Sequence, residues 1–434
     1  MILMMAGCGK DQGATVAIPP DTEGGSVESS GVKPPRELDT TDPSSSATDG
    51  IAAADWTPEV AASLLQDSWT IYKARFIQPD GRVIDREAQD RTVSEGQAYA
   101  MLRAVMVDDP ETFEATLNWA ETNLQRQDSG GDRLDNLWAW QWGQQVGTKW
   151  GILDENFASD ADLDAATALI LASQRWDRPD YLALAQAKLV DLWNLSTIVV
   201  PRATTEQGSD RYFLPGPRPA FQQGYLTYLN PSYFAPYAFR LFAEVDPEHD
   251  WLGLVNTSYD ALTRSAELSI IGFPSDWVGL DVTTGKYQPI APSLPLRSIY
   301  SFDAYRVWWR VSLDYLLFES PEAKAFLDTY LPTAGERWQS KGQLAATINR
   351  AGEDVVDYEA TGQYAMLYPA FRIVDEAIAD ELLEQKLLPA YQNGIWDNDT
   401  AYYTQNLAWF GLASTADLAP LWFDAQLSDA NSAP

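Results

Sequence analysis

The residues that point most directly to chemistry are three acids, Glu95, Asp160 and Asp303. Ser94-Glu95 runs into Ala98, Met101, Leu102 and Val105, and Ser159-Asp160 runs into Ala165, Ala168, Leu169, Ala172 and Trp176. Ser301-Phe302-Asp303 runs into Val307, Trp308 and Val311. Apolar residues recurring at i, i+3, i+4 and i+7 mark the buried face of a helix. Ser94 and Gln97 also have capping-box spacing, so each acid is expected at a helix start, behind a hydroxyl cap. One such acid is ordinary, because the helix dipole favours negative charge there. Three of them supply the paired carboxylates that acid-catalysed glycoside hydrolysis requires. Asp162 reads either as a further member of the set or as an N3 capping residue.

Other chemistries find little support. The single histidine, His249, lies in Asp246-Pro247-Glu248-His249-Asp250, which reads as a surface loop, and no G-x-S-x-G elbow accompanies it. The single cysteine, Cys8, rules out an intramolecular disulfide and a cysteine zinc cluster. No metal site and no cofactor are expected. A net charge of −32 argues against nucleic acid and against a basic patch on an anionic membrane.

Several segments carry a family resemblance. S-E-G-Q-A-Y-A-M-L (94–102), A-S-D-A-D-L-D-A-A (158–166) and F-D-A-Y-R (302–306) resemble the signature segments of glycoside hydrolase family 8. Pro79-Asp80-Gly81-Arg82-Val83, Asn230-Pro231-Ser232-Tyr233-Phe234, Pro274-Ser275-Asp276-Trp277-Val278 and Tyr402-Tyr403-Thr404-Gln405-Asn406-Leu407 follow the family's order. The resemblance implies an all-α fold, an (α/α)6 barrel of six inner and six outer helices. It implies an inverting, endo-acting hydrolase of β-1,4-glucan, with Glu95 as general acid, Asp303 as general base and Asp160 holding the sugar at the scission site. Arg306, one turn beyond Asp303, would keep the base ionised or contact sugar hydroxyls. Phe302 stands where the family commonly has tyrosine, so a hydroxyl is lost or supplied by Tyr300 or Tyr305. A helix N-terminus stabilises an ionised Glu95 whereas a general acid must hold its proton, so neighbouring acids and desolvation would have to outweigh the dipole. Family-related xylanase, lichenase or chitosanase activity, or a non-catalytic polysaccharide-binding surface lipoprotein, are the alternatives.

Sugar faces need aromatic platforms, and the sequence is rich in Trp, Tyr and Phe. Trp138, Trp140 and Trp142 alternate, so in an extended loop the three indoles would point the same way. Tyr233, Asp276, Trp277, Arg306 and Tyr402 complete the expected substrate-binding set, with Trp150 and Tyr368 as further candidates.

The chain divides into four parts. Residues 1–8 resemble the end of a bacterial lipoprotein signal without its basic region, with Cys8 as the lipid anchor. Residues 9–54 are a Ser-, Gly-, Pro- and Asp-rich linker without apolar periodicity, expected to be disordered. Residues 55–425 form the catalytic domain and 426–434 a disordered tail. Helices are expected at Ser63–Phe76, Glu95–Val107, Pro110–Leu124, Asp162–Arg175, Tyr181–Leu195, Ser232–Ala243, Asp250–Ser265, Ala304–Leu317, Pro321–Tyr330, Gly362–Ile378, Ala379–Tyr391 and Tyr402–Ala413. One short hairpin, 196–202 with 211–214, is the only strand signal. A monomer is expected, acting on a β-linked polysaccharide outside the cytoplasm.

Overall fold

The computed structural model describes residues 55–420 apart from 146, 148 and 203–207. The expectations for Cys8, the linker and the tail beyond residue 420 fall outside the described residues.

Among the described residues, twelve of the helices build the barrel, and they alternate between an outer and an inner layer. The outer ones are α1 (Pro58–Phe76), α3 (Pro110–Asn123), α5 (Pro179–Leu195), α7 (Trp251–Glu267), α9 (Pro321–Tyr330) and α11 (Glu376–Leu382). The inner ones are α2 (Ser94–Met106), α4 (Ser159–Arg175), α6 (Pro236–Val245), α8 (Tyr305–Phe318), α10 (Thr361–Val374) and α12 (Tyr402–Ala413). Burial separates the two sets. Every residue of α4 from Ser159 to Ser173 is buried, whereas α5 buries one stripe: Tyr181, Ala185, Lys188, Leu189 and Leu192. A helix that is buried all round belongs inside a double layer, and an amphipathic one belongs on its surface. The inner helices pack in order from α2 to α12 and close through α12 on α2; each outer helix packs on an inner neighbour. This is the (α/α)6 barrel.

Connections at the two ends differ. Inner-to-outer turns are short (107–109, 176–178, 246–250, 319–320 and 375), and proline at N1 or N2 starts α3, α5 and α9. Outer-to-inner connections are long and gather at the end where the inner helices begin. They hold small sheets: Thr92–Val93 with Gln141–Gln144 and Trp150–Asp154, and a four-stranded one whose centre pairs Leu226–Leu229 with Val278–Asp281.

The structure corrects several expectations. Helix α6 starts at Pro236, because Asn230 caps a separate 3-10 turn over Pro231–Tyr233. The span 362–378 breaks at Asp375, whose carboxylate accepts the Ile378 N–H and starts α11. A helix at Pro332–Lys341 was not expected, and strands are more numerous than one hairpin; that hairpin is present as Thr197–Pro201 with Ser209–Phe213. The hydroxyl caps are absent. Ser94 lies inside α2 with a buried, unpartnered Oγ, and Ser159 Oγ donates to the Leu214 carbonyl. Gln97 is no capping-box residue: it accepts from the Val83 N–H at 2.5 Å and donates to the Gly81 and Thr116 carbonyls at 3.1 and 2.9 Å. That explains Pro79–Val83, which Gln97 ties to α2 and α3. Residues 246–250 do form a surface loop, in which His249 is held by Asp246 at 2.8 Å with its ring against Trp193.

Inner helices approach closely where a side chain is missing. A Cβ at Gly411 in α12 would sit 2.1 Å from the Ala365 carbonyl oxygen of α10. Gly411→Ala is therefore expected to lower unfolding free energy by about 3 kcal/mol, the upper range for overpacking, read from the urea midpoint. An unchanged midpoint would mean the two helices can separate without cost.

Candidate active site

Glu95 sits in the first turn of α2, Asp160 in the first turn of α4, and Asp303 two residues before α8. The three meet on one guanidinium. Arg306 Nη1 donates to Glu95 Oε2 and to Asp160 Oδ2, both at 2.8 Å, and Nη2 donates to Asp303 Oδ1 at 3.3 Å. The Arg306 side chain is 1% exposed, Asp160 3%, Asp303 8% and Glu95 12%, so Glu95 is the most exposed of the three acids. Two oxygens bridged by the terminal nitrogens of one planar guanidinium at these distances lie no more than about 8 Å apart. Glu95 and Asp303 thus fall in or below the range of roughly 6.5–9.5 Å that admits a water beside a sugar.

Each carboxyl has its own surroundings. Burial pushes Glu95 up to about 8; the charges of Asp160 and Asp303 add to this, while Arg306 and a hydrogen bond from Tyr402 at 3.1 Å oppose it. Desolvation therefore outweighs the Arg306 charge and the Tyr402 hydrogen bond, and Glu95 can carry a proton at neutral pH. Asp303 is also raised by burial, but Arg306, the Asn230 amide and the Trp277 indole all stabilise its anion. Asp160 is raised by burial against Arg306, and its Oδ1 accepts from the Ala161 N–H. With fewer donors on Glu95 than on Asp303, the hydrogen bonding favours the anion more at Asp303 than at Glu95.

Residues outside the expected set complete the centre. Tyr99 OH accepts from Arg306 at 3.2 Å, and Ser232 Oγ accepts from it at 2.9 Å. Asn230 Nδ2 donates to Asp303 Oδ2 at 3.0 Å. Tyr403 donates to the Phe302 carbonyl at 3.0 Å, with Arg306, Glu95 and Asp303 in its field. Asn230, Ser232, Tyr99 and Tyr403 all lie in the quoted segments. Their signal was there, but polar residues flanking a strong acid drew no separate attention.

The expected binding residues divide. Tyr233 lies under the guanidinium at 5.3 Å, Tyr402 bonds Glu95, and Trp277 bonds Asp303 while stacking on Phe221. Trp140 is half-buried, its carbonyl accepts the Ser94 N–H, and its indole N–H is buried without a partner. The row of three indoles does not form. The strand breaks at Ala139-Trp140, between Arg133–Trp138 and Gln141–Gln144. Trp138 is fully buried, donating to Glu121 at 2.8 Å with Lys188 over its ring, so it is core rather than cleft wall. Trp142 stacks on Trp150 with the Arg82 guanidinium against both rings. Asp276 is a turn holder: it accepts the Ser301 and Ala304 N–H groups and the Ser301 hydroxyl, and so fixes the turn carrying Asp303. Asp162 accepts the Trp138 N–H and pairs with Lys188 at 3.2 Å, away from Arg306's carboxylates. Tyr300 accepts from Trp308 and Tyr305 donates to the Ala346 carbonyl, so neither replaces the hydroxyl absent at Phe302. Tyr368 is buried in α10 as core.

Comparison with known proteins agrees with this geometry. The family model described as Glycosyl hydrolases family 8 matches residues 51–412. An endoglucanase of Pseudomonas fluorescens is 32% identical over 55% of this chain and 58% of its own length. One of Xanthomonas axonopodis pv. citri is 35% identical over 57% and 60% respectively. The chain thus spans under two thirds of these relatives. Among solved structures, a family 8 endoglucanase of Klebsiella pneumoniae covers 81% of this chain and 99% of its own, at 30% identity and TM-score 0.63. An endo-1,4-D-glucanase of Vibrio fischeri covers 80% and 93%, at 26% identity and TM-score 0.64.

A carboxyl whose native pKa is raised from 4.5 to about 8 binds its proton more tightly folded than unfolded. Its contribution to stability is full below about pH 4.5 and is lost as pH rises to about 8. Glu95→Gln removes that dependence. The stability of Glu95→Gln relative to wild type should therefore rise between pH 5 and 8 by on the order of 1 kcal/mol or more, followed by thermal melts. A difference that stays flat, or falls, would mean Glu95 titrates normally.

Proposed function

The chain belongs to glycosyl hydrolase family 8, and on that premise we propose an inverting, endo-acting hydrolase of β-1,4-linked glucan. Glu95 is the general acid and Asp303 the general base. The observation that carries this reading is Arg306, which holds a carboxyl raised to about 8 and a multiply hydrogen-bonded carboxylate no more than about 8 Å apart, a bound that admits the separation an inverting mechanism uses.

In this reading Glu95 Oε–H protonates the glycosidic oxygen as the C–O bond breaks. Asp303 takes a proton from water as its oxygen bonds to the anomeric carbon from the opposite face. Asp160, pinned by Arg306, holds the sugar hydroxyls at that position. Tyr233, Trp277 and the half-buried Trp140 supply apolar faces. The endoglucanases that the chain resembles favour β-1,4-glucan as its substrate over xylan, mixed-linkage glucan or chitosan. The solvated acids of a chain at −32 account for its charge without a cationic substrate. We also propose that the stretch ending at Cys8 tethers the enzyme outside the cytoplasm; the lipoprotein-like residues before it support this.

The first sugars released from soluble β-1,4-glucan should appear as the α-anomer in proton NMR, before mutarotation. Early β-anomer would contradict inversion. Glu95→Gln should lose about 10²–10⁴-fold in kcat, the range for general acid catalysis, with oligosaccharide affinity nearly unchanged. Near-wild-type turnover would remove Glu95 from the mechanism.

A further inference from the structure

Asn230 is 1% exposed and meets the Asp303 oxygen that Arg306 leaves open. Its Oδ1 accepts from the Ser232 N–H at 3.0 Å and the Ser232 hydroxyl at 2.8 Å. A backbone N–H can only donate, so this end of the amide is its carbonyl. The other end, Nδ2, therefore donates to Asp303 Oδ2 at 3.0 Å. Ser232 is anchored in turn, because Arg306 Nη2 donates to its Oγ at 2.9 Å. The bonds close a ring from Arg306 through Ser232 and Asn230 to Asp303 and back to Arg306.

We propose that Asn230 is a positioning residue for the base: its amide, aimed by the Asn-Pro-Ser turn, holds the Asp303 carboxylate in one orientation. Its role as positioner of a base rests on the function proposed above. An amide N–H stabilises the anion and not the acid, so the same contact keeps Asp303 ready to accept a proton. The groups facing Asp303 come from several elements. Arg306 reaches it from α8, and Trp277 and Asp276 from the segment before Val278. Tyr233 stands beside Asn230, Tyr403 approaches from α12, and Glu95 and Asp160 lie across the guanidinium. Arg306, Trp277 and Asn230 stabilise its carboxylate.

Asn230→Asp separates this role from the turn. It keeps an oxygen for the Ser232 N–H but replaces the donor by a second acid. Asn230→Ala removes both functions. Two readouts apply: residue-resolved carbon NMR titration of the Asp303 carboxyl, and the pH profile of kcat/KM on soluble β-1,4-glucan. In Asn230→Asp the Asp303 midpoint and the acid limb should both rise by at least about one pH unit. Its kcat at the wild-type optimum should fall more than about tenfold, with KM within about twofold; Asn230→Ala should move the same way by less. An Asp303 titration unchanged in both variants, or kcat lost with the limb unmoved, would overturn the proposal. The NMR titration needs no turnover. A wild-type protein inert on β-1,4-glucan would thus sink the proposed function, while the titration still decides the Asn230–Asp303 contact.

Discussion

A single buried guanidinium tied to three carboxylates is the constraint on which the centre depends. One positive charge cannot neutralise three negative ones away from water, and an uncompensated buried charge is costly. The cluster therefore holds protons that isolated acids would have released by neutral pH. The unequal donor supply decides where they go. Asp303 accepts from Arg306, Asn230 and Trp277, whereas Glu95 accepts from Arg306 and Tyr402 at the open edge. Division of labour between two carboxyls thus follows from burial and hydrogen-bond count, without any difference in their intrinsic chemistry.

The barrel explains why such a cluster can exist. Its inner helices start at one end, so acids 65 or more residues apart in sequence share one mouth, and Arg306 reaches two of them from a third helix. One turn deeper, Arg310 repeats the pattern with Asp164, donating from Nη2 at 2.7 Å, and with Tyr237 at 2.7 Å. Residues 306 and 310 of α8 thus face 160 and 164 of α4 in two rungs. This second pair is 0–1% exposed and bonded on both oxygens, which makes it a structural floor beneath the reactive centre. Long connections at the same end bring the other parts: Asp276 fixes the Asp303 turn, and the Asn230 turn, which follows the strand paired with Val278, meets Asp303 itself.

Helical periodicity made most of the barrel legible, because inner helices such as 159–175 carry an apolar stripe behind an acid. The acids themselves stood out by residue type and by the segments around them. What failed were arguments from local spacing. Ser94 and Gln97 matched a capping box, yet the buried amide serves three backbone groups of other segments instead. Trp138, Trp140 and Trp142 alternated, but a break at Ala139 sends the first indole into the core. Asp276 looked like a sugar ligand and holds a turn. In each case a long-range contact, invisible to spacing, decided the role.

The central claim is that the wild-type centre at neutral pH holds a proton on Glu95 and none on Asp303. Neutron diffraction from deuterated crystals at pH 6.5–7 reads this directly. The account predicts a deuteron on a Glu95 carboxyl oxygen and a bare Asp303 carboxylate accepting from Arg306 and Asn230. A bare Glu95, or a deuteron on Asp303, would contradict it.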